Sequence, residues 1–356
     1  MPKLTRLALT GGGTGGHIVP NIALIQEFKD KYGDEIELLY IGERHGMEEQ
    51  MVQDAGVKFV GVMTGKVRRY FSWQNFLDIF KIPVGVFQAI GALRKFKPQV
   101  VFAKGGFVSF PACVAAWILR IPVVLHESDV VPGLANKMCG RFATKICVSF
   151  EESTRYFPKK AVEITGNLVR KDILDGDEKR GQEITGFHGK KPVILVMGGS
   201  QGASFLNNLV WDHLDEFTKQ YQIIHICGKG KKREIMKDGY RSFEFVGEDL
   251  KDFYALADVV VTRSGAITLS EIGAVGLPAI LIPLSRRASR GDQIVNAKAF
   301  AKKHAAHVME EEEFEIAQFW SNLEHLSERT THEQKTDVSE ASEKIIALLE
   351  ALGLLE

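Results

Sequence analysis

The stretch LALTGGGTGGHIVPNIALIQEF, residues Leu7–Phe28, decides the fold class of the amino-terminal half. Its apolar start predicts a strand buried on both faces, which five glycines around Thr14 bring to an end. A helix is predicted next, with Pro20 in its first turn. The apolar residues of that helix include Ile18, Ile22, Ile25 and Phe28. Because glycines let backbone N–H groups approach a ligand and a helix N-terminus favours an anion, the stretch predicts a phosphate-accepting strand–loop–helix unit.

The motif leaves the ligand of this loop open. Gly11, Gly13 and Gly16 fit the G-x-G-x-x-G pattern of dinucleotide-binding proteins, and Glu43 follows the second predicted strand, where that pattern expects an acid. A nicotinamide cofactor, another nucleotide or phosphate ligand, and a purely structural turn are all compatible with it. His17, directly after the last glycine, is unusual in a cofactor loop and indicates chemistry.

The composition argues against several classes of protein. Of the 356 residues, 45 are Lys or Arg and 45 are Asp or Glu, so no overall charge directs the chain to nucleic acid. The four cysteines lack C-x-x-C spacing, which indicates free buried thiols in a reducing cytoplasm. No signal peptide is expected. The longest uncharged apolar stretch, Gly105–Leu119, has 15 residues, whereas a membrane span needs about 20.

Predicted strands and helices alternate along the chain, which indicates an α/β fold of parallel sheets covered by helices. The strand PVILVM at 192–197 and the turn GGSQGA at 198–203 repeat the opening unit. Two such units predict two doubly wound, Rossmann-like domains whose glycine loops face a cleft. We expect a first domain over 1–166, an interdomain connection over 167–191, a second domain over 192–340, and a C-terminal helix over 341–356 that packs back on the first domain. Asp175 and Asp177 form a D-x-D in the connection, but in this solvated run no metal site is expected.

The second half carries its own anion site. Strand Asp258–Thr262 leads into a predicted helix Ala266–Val275, and Arg263, Ser264, Gly265 and Thr268 surround the N-terminus of that helix. Glu271, one turn on, has the chemistry to accept hydrogen bonds from ribose hydroxyls, and Gln293 and Asn296 have the chemistry to bind sugar hydroxyls. The alternative is that Ser264 is only a helix cap and Glu271 lies on a solvated face.

A basic and aromatic segment, Lys66–Lys97, predicts contact with an anionic lipid surface. Its helix, about 72–96, is expected to be interrupted at Pro83. The membrane-facing candidates are Trp73, Phe76, Phe80, Lys81 and the more distant Trp117. The alternative is a core helix with a solvated basic face.

Several motifs together resemble the MurG family of N-acetylglucosaminyltransferases. They are TGGGTGGHIVP at 10–20, KGGFVSFP at 104–111, LHESDVVPGLANK at 125–137, GNLVRKDIL at 166–174, GGSQGAS at 198–204 and RSGAITLSEIGAVGLPAILIP at 263–283. The resemblance implies a GT-B fold and an inverting transfer of GlcNAc from UDP-GlcNAc, with neither metal nor cofactor. The implied acceptor is the 4-hydroxyl of MurNAc in lipid I (undecaprenyl-pyrophosphoryl-MurNAc-pentapeptide), and the product is lipid II. It also implies a peripheral protein on the cytoplasmic side of the cell membrane, with inner-leaflet anionic phospholipid and proteins of cell-wall synthesis and division as partners and no role for nucleic acid.

The resemblance also implies roles for single residues. His17 is the expected general base and Glu127 its rival. Acceptor contacts are implied for Gly13, Phe107 and Asn136. Donor contacts are implied for Thr14, Gly15, Gly16, Asp129, Arg170, Ser200, Val246, Arg263, Ala266, Ile267, Thr268, Leu269, Ser270, Glu271, Gln293 and Asn296. Phe107, Asp129 and Leu168 depart from the tyrosine, amide and proline of other members.

Three other functions stay open at this point. A UDP-GlcNAc 2-epimerase shares the two-domain plan but needs no lipid-facing segment. A related glycolipid synthase transfers to diacylglycerol. An NAD-dependent oxidoreductase or a nucleotide sensor accounts for the first glycine loop but leaves 263–271 unexplained.

Overall fold

The structure is a computed structural model that describes residues 4–13, 15–46, 48–65, 73–199, 201–287, 289, 291–328 and 338–354, without the side chains of 73–80 and 160. The chain divides into two compact units. The first is Met1–Leu168 with Ser339–Glu356, and the second is Val169–Val338.

The described residues of the first unit form a parallel sheet of seven strands. Its strands are β1 Arg6–Thr10, β2 Glu37–Glu43, β3 Lys58–Val62, β4 Val100–Ala103, β5 Val123–Glu127, β6 Lys145–Val148 and β7 Val162–Ile164. Their order across the sheet is β3-β2-β1-β4-β5-β6-β7. Every residue of β4 and β5 is buried, which is why β4 is a continuous apolar run in the sequence and β5 begins as one before His126 and Glu127.

Helices pack on this sheet from both sides. They are α1 Gly15–Tyr32, α2 Glu48–Asp54, α3 Trp73–Phe96, α4 Ser109–Ile118 and α5 Leu134–Cys139. On α1, Ile18, Leu24, Ile25 and Phe28 are buried. This stripe confirms the helix predicted after the glycines.

Two predictions about proline are wrong. The helix α1 begins at Gly15, so Pro20 lies in its second turn and not its first. The helix α3 continues through Pro83 without interruption. A proline removes one backbone hydrogen bond of its helix, and packing elsewhere along the helix can outweigh that loss. The close approach of α3 at Gly85, where a Cβ atom would lie 1.9 Å from the carbonyl oxygen of Met63, shows such packing.

The described residues of the second unit form a parallel sheet of six strands. These are β8 Val193–Met197, β9 Gln222–Ile226, β10 Tyr240–Phe243, β11 Val259–Thr262, β12 Ala279–Leu281 and β13 Ala306–Val308, in the order β10-β9-β8-β11-β12-β13. Its helices are α6 Glu178–Thr185, α7 Ser204–Asp212, α8 Leu214–Gln220, α9 Leu250–Leu256, α10 Ala266–Val275, α11 Asp292–Ala301 and α12 Ile316–Ser327. The glycine turn at 198–203 joins β8 to α7, and α10 has the predicted bounds.

The predicted interdomain connection is mostly part of the second unit. Ile173 and Phe187 are buried in the core of that unit, and α6 packs against α9. Asp177 caps α6, since its carboxylate accepts a hydrogen bond from the Lys179 N–H. Most residues of this segment are polar or charged, so the few apolar side chains that anchor it to the second unit were not recognised in the sequence.

The last helix, α13 Ser339–Gly353, belongs to the first unit. Ile345 and Leu349 are fully buried among residues of β1, β4 and α1. At its end, Glu350 accepts hydrogen bonds from Lys31 and Tyr32 of α1.

The four cysteines are free and buried, as predicted. Among the described residues, no helix has the length and apolar character that a membrane span requires. The same part of the chain shows no cluster of three or more His, Cys, Asp or Glu side chains suited to a metal ion.

Candidate active site

The first glycine loop is fixed from beneath by two polar side chains. The Tyr40 hydroxyl of β2 donates to the carbonyl of Gly11 at 2.8 Å. The Asn21 amide of α1 donates to that hydroxyl at 2.9 Å and to the Thr10 carbonyl at 3.3 Å. Phe107 lies against the loop, since a Cβ atom on Gly13 would come within 2.6 Å of its ring. These contacts hold the described residues of the loop, Gly11 and Gly13, in place.

His17 stands in the first turn of α1 with one ring nitrogen available. The imidazole hydrogen-bonds to the main chain of Lys104, and its Nδ1 is buried with no hydrogen-bond partner among the described residues. Burial and, secondarily, the charge of Lys104 lower the pKa of His17 to about 4. The ring is therefore neutral at physiological pH, and its Nδ1 has the chemistry of a proton acceptor.

Glu127 ends β5 with its carboxylate held on both oxygens. Oε1 accepts the Asp129 N–H at 2.9 Å, and Oε2 accepts the Asn136 amide at 2.8 Å. Asn136 also accepts the N–H of Gly106 at 3.2 Å. Burial and the neighbouring charge of Asp129 raise the pKa of Glu127 to about 7, while Asn136 and Lys104 oppose the rise. A carboxyl group with that pKa can exchange a proton near neutral pH.

Lys104 is the neighbour that His17 and Glu127 share, and it was not among the predicted site residues. Its side chain is fully buried at the end of β4. Nζ lies 2.7 Å from His126 Nδ1 and donates to the Ser128 hydroxyl. Because His126 Nε2 lies 2.8 Å from the Gly166 carbonyl oxygen and must donate to it, Nδ1 is the acceptor. The sequence feature that could have identified Lys104 is its position directly after a buried apolar strand.

In the second unit, the N-terminus of α10 faces open space. Gly265 is the cap residue, and a Cβ atom built on it would meet no atom within 4 Å. The Ser264 hydroxyl is buried with no hydrogen-bond partner among the described residues. The first N–H groups of a helix have no acceptor within the helix and attract anions. The predicted anion site therefore has both room and donors.

The structure gives Arg263 different partners from the predicted diphosphate. Its guanidinium donates to the carbonyls of Ile282 and Pro283 at 2.9 and 3.1 Å and pairs with Glu311. Only 8% of the residue is exposed. Arg263 thus joins the segments that follow β11, β12 and β13, while its buried Nε has no hydrogen-bond partner among the described residues.

Glu271 lies on the buried side of α10 beside Tyr254 and Arg170. The Tyr254 hydroxyl donates to Glu271 Oε2 at 3.1 Å. Burial raises the pKa of Glu271 to about 7, and the positive charge of Arg170 opposes the rise. The alternative of Glu271 on a solvated face is wrong, because 8% of the residue is exposed. The structure thus brings two predicted donor residues, Arg170 and Glu271, together.

The other predicted donor residues differ in what they can offer. Gln293 Oε1 accepts the N–H of Leu284 at 3.0 Å, and the buried Asn296 amide lies 3.4 Å from the Ser264 carbonyl oxygen. Leu269 is fully buried in the core, so its side chain points away from a ligand. The hydroxyl of Ser270 donates to the Ala266 carbonyl. Val246 is partly buried against the same core, and Ile267 and Thr268 in the first turn of α10 are also partly buried. In the first unit, Gly15 and Gly16 lie in the first turn of α1. Thr14 and Ser200 lie outside the described residues.

Two family models match the chain. The glycosyltransferase family 28 N-terminal domain matches residues 7–148, and the family's C-terminal domain matches residues 193–349. The chain belongs to glycosyltransferase family 28.

Relatives in the family are similar over most of their length. One from Clostridium tetani is 42% identical over 325 residues, which are 91% of this chain and 90% of the relative. One from Legionella pneumophila is 47% identical over 309 residues, 86% and 84% of the two chains. Both are named UDP-N-acetylglucosamine--N-acetylmuramyl-(pentapeptide) pyrophosphoryl-undecaprenol N-acetylglucosamine transferase.

Solved structures confirm the predicted GT-B type of fold. MurG from Acinetobacter baumannii matches with a TM-score of 0.70 at 24% identity, covering 97% of this chain and 99% of that one. A UDP-GlcNAc 2-epimerase from Neisseria meningitidis, bound to UDP-GlcNAc, matches with a TM-score of 0.65 at 15% identity and the same coverage. At these identities the likeness concerns the fold alone, and the family match separates the two activities.

Proposed function

We infer that this family 28 glycosyltransferase transfers GlcNAc from UDP-GlcNAc to the MurNAc 4-hydroxyl of lipid I and forms lipid II. The observation that carries the inference is its 42% identity, across nine-tenths of both chains, to a relative named for this transfer. The two units supply what such a reaction requires. One has an anion site beside a buried carboxyl group, and the other has a glycine loop beside two groups that can accept a proton.

The second unit binds the donor in this proposal. The N-terminus of α10 faces the diphosphate and stabilises the negative charge that develops as UDP leaves. Glu271 accepts the ribose hydroxyls, with Arg170 close by. The backbone at Val246 pairs with uracil, and Gln293 and Asn296 bind sugar hydroxyls. Arg263 holds the loop before α10 in place and, through its Nε, faces the diphosphate together with the turn at 266–268.

The first unit presents the acceptor hydroxyl to a base. Inversion requires one in-line attack, in which the hydroxyl proton passes to that base as the bond to the anomeric carbon forms. His17 is the first candidate, because its Nδ1 has no hydrogen-bond partner among the described residues. An anionic acceptor diphosphate bound at the glycine loop raises the pKa of His17 again, because it favours the imidazolium. Glu127 is the second candidate, because its raised pKa of about 7 suits the same proton transfer.

The test is transfer of radiolabelled GlcNAc from UDP-GlcNAc to a shortened lipid I analogue, measured for wild type, His17→Gln and Glu127→Gln. We expect labelled product from wild type. The variant that has lost the base is expected to have a kcat lower by roughly 10²–10⁴-fold, with little change in its affinity for UDP. No product from wild type contradicts the function, and UDP-ManNAc formed without acceptor indicates an epimerase.

The exposed apolar residues of α3 and α4 fit peripheral binding to an anionic membrane. Phe87 is 75% exposed and Trp117 is 58% exposed, and Lys81 is exposed on the same surface helix as Phe87. The side chains of Trp73, Phe76 and Phe80 lie outside the described residues. Aromatic and basic side chains together favour the interface of an anionic bilayer.

Sedimentation with phosphatidylglycerol vesicles tests this membrane contact. The variants Phe87→Ser and Trp117→Ser are expected to pellet less than wild type. The control is Met236→Ser, at a fully exposed residue of the second unit. Equal sedimentation of all four proteins contradicts the assignment of this surface.

A further inference from the structure

A buried ammonium group lies next to both candidate bases, and the proposed function does not use it. An amine inside a protein is costly to hold unless it is hydrogen-bonded and compensated by charge. Lys104 has both, in Ser128 and His126 as hydrogen-bond partners and in the carboxylates of Glu127 and Asp129 as nearby charges. Its position at the end of β4 therefore serves more than packing.

The ammonium and the carboxylate of Glu127 hold the same short turn. Ser128, which receives the bond from Lys104, lies between Glu127 and Asp129. The carboxylate of Glu127 in turn accepts the Asp129 N–H at 2.9 Å. Because the turn is bound at two successive residues, the position of the Glu127 carboxylate depends on Lys104.

Charged and titratable groups face Lys104 from each element packed around it. His17 comes from α1, His126 and Glu127 from β5, Asp129 from the turn after β5, and Cys147 from β6. The positive charge of Lys104 lowers the pKa of His17 and that of Glu127. Burial lowers the pKa of Lys104 itself to about 7, so its positive charge is fully present only below neutral pH.

We propose that Lys104 is a positioning residue of the acceptor-side site, whose buried side chain anchors the turn that carries Glu127 and whose positive charge faces both candidate bases. The inference rests on the proposed function for its kinetic readout alone. A lysine that only fills the core would change stability when replaced, but it would leave the protonation of His17 and the pH dependence of transfer as they are.

The experiment compares Lys104→Met, Ser128→Ala and a matched control, Lys145→Met. Lys145 lies on β6 of the same sheet and pairs with Glu163 at 2.6 Å, away from the site. Two quantities are measured on each folded protein. One is the pH dependence of kcat/KM for the acceptor analogue between pH 5 and 9. The other is the pH titration of His17 by NMR with ¹³C-labelled histidine, its signal assigned by its absence from His17→Gln.

In Lys104→Met, we expect the acid limb of the pH profile and the His17 titration to move to higher pH. Each unit of movement of the limb lowers the rate on its acid side tenfold. Ser128→Ala keeps the charge but loosens the turn, so kcat falls at least threefold with the donor KM within twofold. Lys145→Met matches wild type in all readouts.

An unchanged pH profile and an unchanged His17 titration in folded Lys104→Met overturn the proposal. If Lys104→Met does not fold, Ser128→Ala decides, and an unchanged kcat overturns it. If wild type transfers no GlcNAc, the proposed function fails, whereas the NMR titration still tests whether Lys104 controls the protonation of His17.

Discussion

We expect Glu271 to couple donor binding to pH, because burial raises the pKa of its carboxyl group to about 7. A carboxylate can accept from two ribose hydroxyls, whereas the protonated acid has lost part of that capacity. We expect UDP to bind more tightly as the pH rises from 6 to 8, and Glu271→Gln to bind weakly with no such dependence. Isothermal titration calorimetry with UDP measures both, and a parallel pH dependence in Glu271→Gln would assign the effect to another group.

The same group makes the second unit less stable at higher pH. The carboxyl has an ordinary pKa in the unfolded chain and a raised one in the fold, so between the two values the folded state binds more protons. The free energy of unfolding therefore falls as the pH rises through this window, by up to roughly 3 kcal/mol. Urea unfolding at pH 5 and 8 measures the fall, and Glu271→Gln is expected to make it smaller, while the part due to Glu127 remains.

Arg263 shows what residue-level sequence reasoning could not determine. An arginine before a helix N-terminus predicts an anion ligand from charge alone. The structure uses that charge on Glu311 and on two backbone carbonyls. These partners come from segments 19 to 48 residues away in the sequence. Glu271 could be predicted as a site residue because the helix period sets its distance from the N-terminus of α10, whereas no local pattern connects Arg263 to Glu311.

Replacing Arg263 with Met tests whether it supports the loop or binds the diphosphate. Removing one partner of a buried ion pair leaves the other uncompensated, at a cost of about 3–5 kcal/mol. We expect Arg263→Met to lose stability of that order in urea unfolding, and Glu311→Leu in the same chain to restore part of it. If the arginine only binds the diphosphate, Arg263→Met unfolds like wild type but binds UDP more weakly while binding of uridine is unchanged.

At the level of elements, the strands were predictable because parallel strands covered on both faces are continuous apolar runs. The bounds of α10 were predictable because Gly265 and Gly276 enclose its apolar residues. The packing of residues 169–191 on the second unit was not predictable, because only a few buried side chains, such as Ile173 and Phe187, anchor a segment that is otherwise mostly polar. Pro83 was likewise misread, because a helix can continue through one proline when packing compensates for the lost hydrogen bond.

Two glycines at loop–helix junctions of the second unit are expected to respond differently to the same substitution. Gly202 has a φ of +64°, and a Cβ atom there would lie 1.9 Å from the carbonyl oxygen of Cys227. Gly202→Ala therefore destabilises the unit and lowers UDP affinity. Gly265 has a φ of −68° and open space around it. Gly265→Ala is expected to keep its unfolding temperature but bind UDP more weakly, since the methyl group enters the ligand space. Thermal unfolding and calorimetry separate the two, and equal stability losses would contradict the open site at Gly265.

At the scale of the whole molecule, the chain passes from the first unit into the second near Leu168 and returns at Ser339. The two glycine loops predicted two domains, since each opens its own parallel sheet. A C-terminal helix that packs back on the first domain was expected, and α13 does so, although its amphipathic pattern alone does not say which sheet it covers. That choice is made by contacts at long sequence separation, such as Glu350 with Lys31 and Tyr32, which a single sequence does not reveal.

The returning helix makes the stability of the first unit depend on the end of the chain. Leu349 is fully buried among core residues of that unit, whereas Leu354, five positions later, is 37% exposed. Truncation of a buried leucine to alanine costs about 2–5 kcal/mol. We expect Leu349→Ala to speed hydrogen exchange in β1 and β4 while α10 and β11 exchange as in wild type, and Leu354→Ala to leave both sets unchanged. Faster exchange only in the second unit would contradict this structure, because the buried face of α13 would then have to pack on β8 or its neighbours.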